Sequence, residues 1–128
     1  MAGPASLRLY QPVEITAKLA AELPLWRFED GFIKRTYRTH GWKGTLMAVN
    51  AIAHLAEAAW HHPDLSVSYP SVEVRLQTHD AGGVTDRDFA LARKIEDVVM
   101  WRPGRDGGAL EGTPESDERF AYIRYDAQ

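Results

Sequence analysis

Apolar and polar positions alternate along this chain with two different periods, and each change of period marks a change of element. Residues 13–23 repeat apolar side chains every four positions and stop at Pro24, which predicts a first helix. Longer helical patterns predict a second helix over residues 44–60 and a third over residues 86–100. The residues expected to face inward are Leu46, Val49, Ala53, Ala56 and Trp60 in the second helix, and Phe89, Ala92, Ile95 and Val99 in the third.

The segments between these helices change polarity at every second residue, which is typical of strands. Residues 25–28 and 32–38 predict one hairpin, and residues 65–69 and 72–79 predict another, with His79 among its outward polar side chains. The order α-β-β-α-β-β-α predicts an α+β fold. In this fold, three helices pack on one face of a four-stranded antiparallel sheet.

A change of composition near the end of the third helix sets the expected limit of the domain. Residues 1–12 are predicted to be a mobile N-terminus, residues 13–101 one domain, and residues 102–128 a C-terminal extension. The extension starts as a Pro- and Gly-rich linker, but its aromatic segment 120–125 predicts an edge strand on the chain's own sheet or on a neighbouring subunit. The open face of the sheet is expected to stay solvated or to pair with another protomer through Trp26 and this tail.

Composition and charge exclude several classes of function. The 128 residues carry a net charge of -3, so the chain lacks the positive field that nucleic-acid binding requires. The absence of cysteine excludes disulfides, thiolate metal sites and a Cys nucleophile. No apolar run approaches the roughly 18 residues of a membrane span, and the N-terminus does not resemble a signal peptide. These features predict a cytoplasmic protein with no nucleic-acid or membrane partner.

Three of the five histidines belong to one constellation. His61 and His62 close the second helix just before Pro63, and His79 follows at the end of the last predicted strand. Because an imidazole titrates at about pH 6.5, one ring can donate a proton while another accepts one. Glu57 lies one helical turn before His61 and is expected to orient its ring. This pattern predicts general acid–base catalysis.

Other interpretations of the same residues stay open. A His pair at a helix C-terminus is also stabilised by the helix dipole, and Asp88 can serve only as the capping carboxylate of the third helix. Three imidazoles and a carboxylate are also acceptable ligands for zinc or iron. Against a metal, the adjacent His61 and His62 diverge by about 100° in a regular helix. Acid–base chemistry without a metal is the favoured hypothesis.

The spacing of these residues resembles the signature of the pterin-4a-carbinolamine dehydratases, also called 4a-hydroxytetrahydrobiopterin dehydratases. In that family a charged residue, a His-His-Pro triplet, an aromatic residue, a further His and an Asp follow one another at defined intervals. The resemblance extends over about residues 15–99. The matching residues here are Glu57, His61-His62-Pro63, Tyr69, His79 and Asp88.

This resemblance implies the same α+β order, a homodimer or homotetramer, and dehydration of a 4a-hydroxytetrahydropterin without any cofactor or metal. One imidazolium would protonate the departing hydroxyl while a neutral ring takes the N5 proton, giving the quinonoid dihydropterin in pterin recycling. By resemblance, His61, His62 and His79 are catalytic, and Glu57 and Asp88 support them. The residues expected to line the pterin are Trp60, Pro63, Gln77, Thr78 and Asp80.

A non-catalytic function is the alternative. Relatives of this fold are associated with Rubisco assembly and with transcription-factor dimerisation, so the chain could be a scaffold protein that recruits a partner through residues 102–128. Trp60 also stands where the family commonly has Asn or Asp. The retained signature favours the enzyme.

Overall fold

The computed structural model describes residues 7–128 of the chain. Residues 1–6 of the predicted mobile N-terminus therefore lie outside the described residues. The predicted order of helices and strands is confirmed, and no helix within the described residues is long and apolar enough to span a bilayer. The elements are α1 (Pro12–Glu22), β1 (Arg27–Glu29), β2 (Phe32–Arg38), α2 (Trp42–Ala59), β3 (Asp64–Ser68), β4 (Ser71–Leu76) and α3 (Asp86–Val99).

The four strands form one antiparallel sheet in the order β1-β2-β4-β3, with β2 and β4 at its centre. Alternate side chains of these two strands are buried, including Ile33, Tyr37 and Val74. The opposite face carries polar side chains such as Lys34 and Glu73, which form ion pairs within the sheet. The predicted α+β architecture of three helices and a four-stranded antiparallel sheet is confirmed.

The side of α2 that faces the sheet is rotated by one position from the predicted stripe, which was wrong except at Ala56. Both stripes have the three- and four-residue spacing of a helix face, so periodicity alone does not choose between them. A Cβ at Gly44 would lie 2.8 Å from the Cβ of Tyr122, so this glycine permits close packing of the C-terminal extension on α2. The predicted inward residues of α3 are all buried. The buried side of α2 comprises Thr45, Ala48, Ile52 and Ala56, whereas Leu46, Ala53 and Trp60 are exposed and Val49 is half-buried.

β4 is shorter than predicted, because it ends at Leu76. Thr78 forms an isolated bridge with Gly83, and a 3-10 turn, His79–Ala81, lies between them. Gly82 has a positive φ of 75°, which reverses the chain. His79 had been expected on the polar face of a strand. It lies instead on this turn.

The C-terminal extension, residues 102–128, packs against the end of β2 and the start of α2. Ile123 is buried and forms an isolated antiparallel bridge with Thr39. Two residues later the chain enters a 3-10 helix, Tyr125–Ala127. An edge strand on the chain's own sheet was one expectation for this segment. The structure has only an isolated bridge there, because the 3-10 helix interrupts the extended backbone.

A buried charged network joins the sheet to α3 and to the extension. Arg35 is fully enclosed and donates to Glu96 through Nε at 2.9 Å and through Nη2 at 3.2 Å. The Tyr37 hydroxyl and the Trp26 Nε1 also donate to Glu96, at 2.8 Å and 2.9 Å. Arg35 Nη1 donates to Gln128 Oε1 at 3.0 Å. Trp26 is thus a core residue, and the expectation that it joins the open face of the sheet to another protomer was wrong, because its N–H has an internal partner.

The network fixes the ionisation of its two acidic members. Burial disfavours the charged form of Glu96, but the hydrogen bonds and positive charge of Arg35 outweigh it and hold the pKa of Glu96 below its usual range. Burial, together with the negative charge of Glu96, raises the pKa of Tyr37 far above its usual value. At neutral pH Glu96 is therefore an ionised acceptor and Tyr37 a neutral donor.

Candidate active site

The C-terminus of α2 sets the position of the first candidate histidine. Trp60 adopts the left-handed conformation, with φ 52° and ψ 45°, and ends the helix. Trp60 N donates to Glu57 O at 3.2 Å and His61 N donates to Ala56 O at 3.1 Å, which is the Schellman arrangement of a helix end. Pro63 then prevents the helix from resuming. The residues after Trp60 therefore leave the helical spiral.

His61 pairs with a carboxylate of α3. Its Nε2 lies 2.6 Å from Asp88 Oδ1, and the His61 side chain is 12% exposed while that of Asp88 is fully buried. Asp88 Oδ2 accepts hydrogen bonds from Thr78 Oγ1 and from Thr85 N, both at 2.9 Å. The carboxylate is thus an acceptor on both oxygens, so we place a proton on His61 Nε2. The second ring nitrogen, Nδ1, stays available.

Asp88 combines two functions that the sequence presented as alternatives. With Thr85 it completes the capping box that starts α3. The opposite oxygen of the same carboxylate contacts His61. A hydrogen bond of 2.7 Å between the hydroxyls of Thr78 and Thr85 completes the cluster. In the described part of the chain every buried side-chain nitrogen and oxygen has a partner, so this cluster is rigidly held.

His62 pairs with the other carboxylate of the signature. Its Nε2 lies 2.8 Å from Glu57 Oε1, and both side chains are exposed. The ring of Trp60 meets that of His62 edge to face, at 5.2 Å between centroids. Glu57 was expected to orient His61; that expectation was wrong, because the left-handed residue between them turns His61 away from the helix. Each histidine of the pair thus has its own carboxylate.

These elements enclose a cleft of about 260 Å³. The turn after β4 supplies one wall, and the end of α2 supplies the opposite wall. Of the predicted lining residues only Pro63 is absent from the walls, since it lies in the connection to β3. Glu57 and Asp88 lie behind the histidines that they contact. The cleft is lined by Trp60, His61, His62, Gln77, Thr78, His79, Asp80 and Arg87.

Arg87 is the one lining residue that was not predicted from the sequence. It occupies the first turn of α3, next to Asp88, and brings a positive charge to the cleft. Its position next to Asp88 could have indicated this role, because Asp88 had been predicted to support the histidines. Within residues 7–128, no group of three or more His, Asp or Glu side chains has the arrangement of a metal site.

The chain matches proteins of one family over most of its length. The family model described as pterin 4 alpha carbinolamine dehydratase matches residues 8–98. A protein from Aquifex aeolicus named "putative pterin-4-alpha-carbinolamine dehydratase" is 53% identical over 74 residues, which cover 58% of this chain and 75% of that protein. A protein of the same name from Chloroflexus aurantiacus is 43% identical over 83 residues, which cover 65% of this chain and 89% of that protein.

A solved structure agrees with the sequence relatives. The crystal structure of a "transcriptional coactivator/pterin dehydratase" from Brucella melitensis superimposes with a TM-score of 0.66 and 28% identity. The match covers 72% of this chain and 99% of that one, and the family model ends just before the C-terminal extension. The domain preceding the extension therefore carries the family's features, and the chain belongs to the pterin 4 alpha carbinolamine dehydratase family.

Proposed function

We propose that this protein dehydrates a 4a-hydroxytetrahydropterin by histidine acid–base catalysis and thereby serves pterin recycling. The observation that carries the proposal is the convergence of His61, His62 and His79 on one cleft. Two of these rings have a carboxylate partner, as expected for imidazoles that change protonation during a reaction. The proposal includes a homodimer or homotetramer and a cytoplasmic location.

The environments of the rings suggest how the roles divide. His61 has a buried carboxylate behind Nε2, which stabilises the imidazolium that forms when Nδ1 accepts a proton. We therefore assign His61 as the base that removes the N5 proton. His62 or His79 donates a proton to the 4a-hydroxyl.

The proposed reaction needs no reagent beyond these protons. The N5–H bond breaks as the base accepts the proton, the C4a–O bond breaks as the acid protonates the oxygen, and a double bond forms between N5 and C4a. The products are the quinonoid dihydropterin and water. Proton exchange with solvent then restores both rings. An exposed cleft is suited to this last step.

The scaffold alternative has less support. The Brucella structure is named both as a transcriptional coactivator and as a pterin dehydratase, so a non-catalytic function is the second candidate. In this chain, however, every signature residue is present, and its three histidines line one cleft. A scaffold would have no need to retain three imidazoles in this arrangement.

The test is the rate at which purified protein consumes a freshly generated 4a-hydroxytetrahydropterin, followed by the absorbance of the quinonoid product. We expect acceleration over buffer, unchanged after chelator treatment. His61→Ala, His62→Ala and His79→Ala should each lower kcat by about 10²-fold or more, while circular dichroism shows retained folding. His54→Ala is the matched control, because His54 is exposed on α2 and does not line the cleft. Undiminished turnover in all three site variants would refute histidine catalysis.

A further inference from the structure

A second cavity opens directly beside the cleft, between α2 and α3. Its volume is about 400 Å³, larger than the 260 Å³ of the cleft. His61 and Arg87 line both cavities, so the two cavities adjoin at these side chains. We call it the side groove. Its other walls are Leu55, Ala58, Ala59, Ala90, Leu91 and Lys94.

The side groove differs chemically from the cleft. Five of its other six wall residues have only hydrocarbon side chains, whereas the cleft is lined by imidazoles, an amide, a hydroxyl and a carboxylate. Such walls favour an apolar occupant. A ligand that fills both cavities would therefore have a hydrogen-bonding part in the cleft and an apolar part in the side groove.

Two cations mark the ends of the side groove. Arg87 lies at the junction with the cleft, and Lys94 lies two helical turns further along α3, about 10 Å away along the axis. Among residues 7–128, no carboxylate lies within 4.0 Å of the charged nitrogens of either side chain. Both charges are therefore available to an anionic ligand.

The proposed reaction places the substituent of the pterin at this junction. In a 4a-hydroxytetrahydropterin the reacting N5 is bonded to C6, which carries the side chain of the pterin. If His61 accepts the N5 proton, the C6 substituent begins beside His61, and His61 is the residue that borders the side groove. The substituent then begins next to the side groove.

We propose that the preferred substrate is a pterin whose C6 substituent is an extended apolar segment, such as an aryl group, ending in a carboxylate. This inference rests on the proposed function. The bicyclic ring occupies the cleft, the apolar segment lies against Leu55, Ala90 and Leu91, and the carboxylate pairs with Lys94. A short hydroxylated substituent would leave the side groove empty.

Equilibrium binding of stable dihydropterins tests the inference without requiring turnover. By titration calorimetry on the full chain, 7,8-dihydropteroate should bind at least about tenfold more tightly than 6-methyl-7,8-dihydropterin. This ratio corresponds to a difference of about 1.4 kcal/mol in binding free energy. Lys94→Gln should reduce this ratio about fivefold, and Lys94→Arg should preserve it. Arg93→Gln is the matched control, because it removes the same charge from the same helix at a residue that does not line the side groove.

The outcomes separate this inference from the proposed function. Equal affinity for both dihydropterins, or a ratio that Lys94→Gln leaves unchanged, would overturn the inference. If 4a-hydroxy-6-methyltetrahydropterin is still dehydrated in that case, the proposed function stands. Preferential binding of dihydropteroate would support the side groove as a binding site. If neither 4a-hydroxy-6-methyltetrahydropterin nor 4a-hydroxytetrahydropteroate is dehydrated in that case, the proposed reaction is overturned.

Discussion

At the scale of single residues, Asp88 connects folding with the proposed chemistry. One of its oxygens is held by Thr78 and Thr85, and the other contacts His61. Because the carboxylate is fully buried, its removal would leave these donors without an acceptor in a site closed to water. Any change at this position should therefore alter both the start of α3 and the orientation of the imidazole.

The substitution Asp88→Asn separates the charge of this side chain from its size. We expect kcat for dehydration to fall by about 10²-fold, because the imidazolium loses its buried counter-charge. The free energy of unfolding should fall by about 1–3 kcal/mol, because an amide cannot accept hydrogen bonds on both of its ends. Urea unfolding and the pH dependence of kcat measure the two effects. A purely structural Asp88 would leave the pH profile of the folded variant unchanged.

Asp97→Asn is the matched control for this substitution. Asp97 lies on the same helix but is exposed, and its ion pair with Arg93 is a surface contact. Such pairs contribute about 0–1 kcal/mol, so this variant should resemble the unsubstituted protein in both measurements.

The sequence predicted which histidines meet but not which carboxylate each one contacts. Regular helix geometry placed Glu57 beside His61, and this would hold if α2 continued through Trp60. The left-handed Trp60 changes the direction of the chain, so Glu57 contacts His62. The contact between His61 and Asp88 joins two helices that are distant in sequence, and local spacing holds no information on such a pair.

At the scale of elements, the end of α2 determines the shape of the cleft. A bulky residue with positive φ is uncommon, since the left-handed conformation costs about 1–2 kcal/mol for L residues other than glycine. Asn or Asp would tolerate this conformation better. Trp60 is nevertheless 76% exposed, so little burial offsets the cost. Trp60 lines the cleft, so contact of its indole with the substrate would offset this cost.

The substitution Trp60→Gly should therefore stabilise the protein and weaken its activity. We expect the free energy of unfolding to rise by about 1 kcal/mol, because glycine adopts the left-handed conformation without strain. KM for the 4a-hydroxytetrahydropterin should rise, because the cleft loses an aromatic wall. Denaturant titration and initial rates are the measurements.

A second tryptophan of the same helix provides the contrast. Trp42 is half-exposed, begins α2 in helical conformation and does not line the cleft. Trp42→Gly should lower the free energy of unfolding by about 0.5 kcal/mol through poorer helix propensity, and KM should not change. Equal effects of the two substitutions would show that backbone conformation at residue 60 is not the cause.

Local signals explain which element bounds could be predicted. β2 was predicted over residues 32–38 and has those bounds, because a turn and a β-favouring run mark it directly. The rotation of α2 depends on a contact that is remote in sequence, and the end of β4 depends on a bridge across a short turn. Tyr122 packs on Gly44, and Thr78 pairs with Gly83 across a turn. Neither contact has a periodic signature.

At the scale of the whole molecule, the Arg35–Glu96 network connects the sheet, α3 and the C-terminal extension. Arg35 is buried, so its charge requires the carboxylate of Glu96, and Gln128 accepts one of its remaining N–H groups. The extension is thus part of the folded structure, although its composition had predicted a linker followed by an edge strand. A polar residue at the end of a Gly-rich segment gives no sequence signal of such a contact.

This network predicts a loss of stability at acidic pH. The pKa of Glu96 in the folded protein is held below the value of about 4.3 that applies in the unfolded chain. A depressed carboxyl pKa contributes stability that is present above the unfolded pKa and is lost as the pH falls through the folded pKa. The free energy of unfolding should therefore fall below about pH 4.3. Urea unfolding from pH 7 to pH 3 measures it.

Substitution of Glu96 measures how much of the loss of stability at acidic pH is due to its carboxylate. Glu96→Gln should lower the free energy of unfolding at pH 7 by about 3 kcal/mol, because Arg35 is left as an uncompensated buried charge. The difference in free energy of unfolding between Glu96→Gln and the unsubstituted protein should become smaller as the pH falls. Protonation of Glu96 then removes the same charge from the unsubstituted protein. Glu29→Gln, which removes an exposed carboxylate paired with Lys34, should cost no more than about 1 kcal/mol. A deficit that stays constant down to pH 3 would mean that Glu96 supports the fold by shape, not by charge.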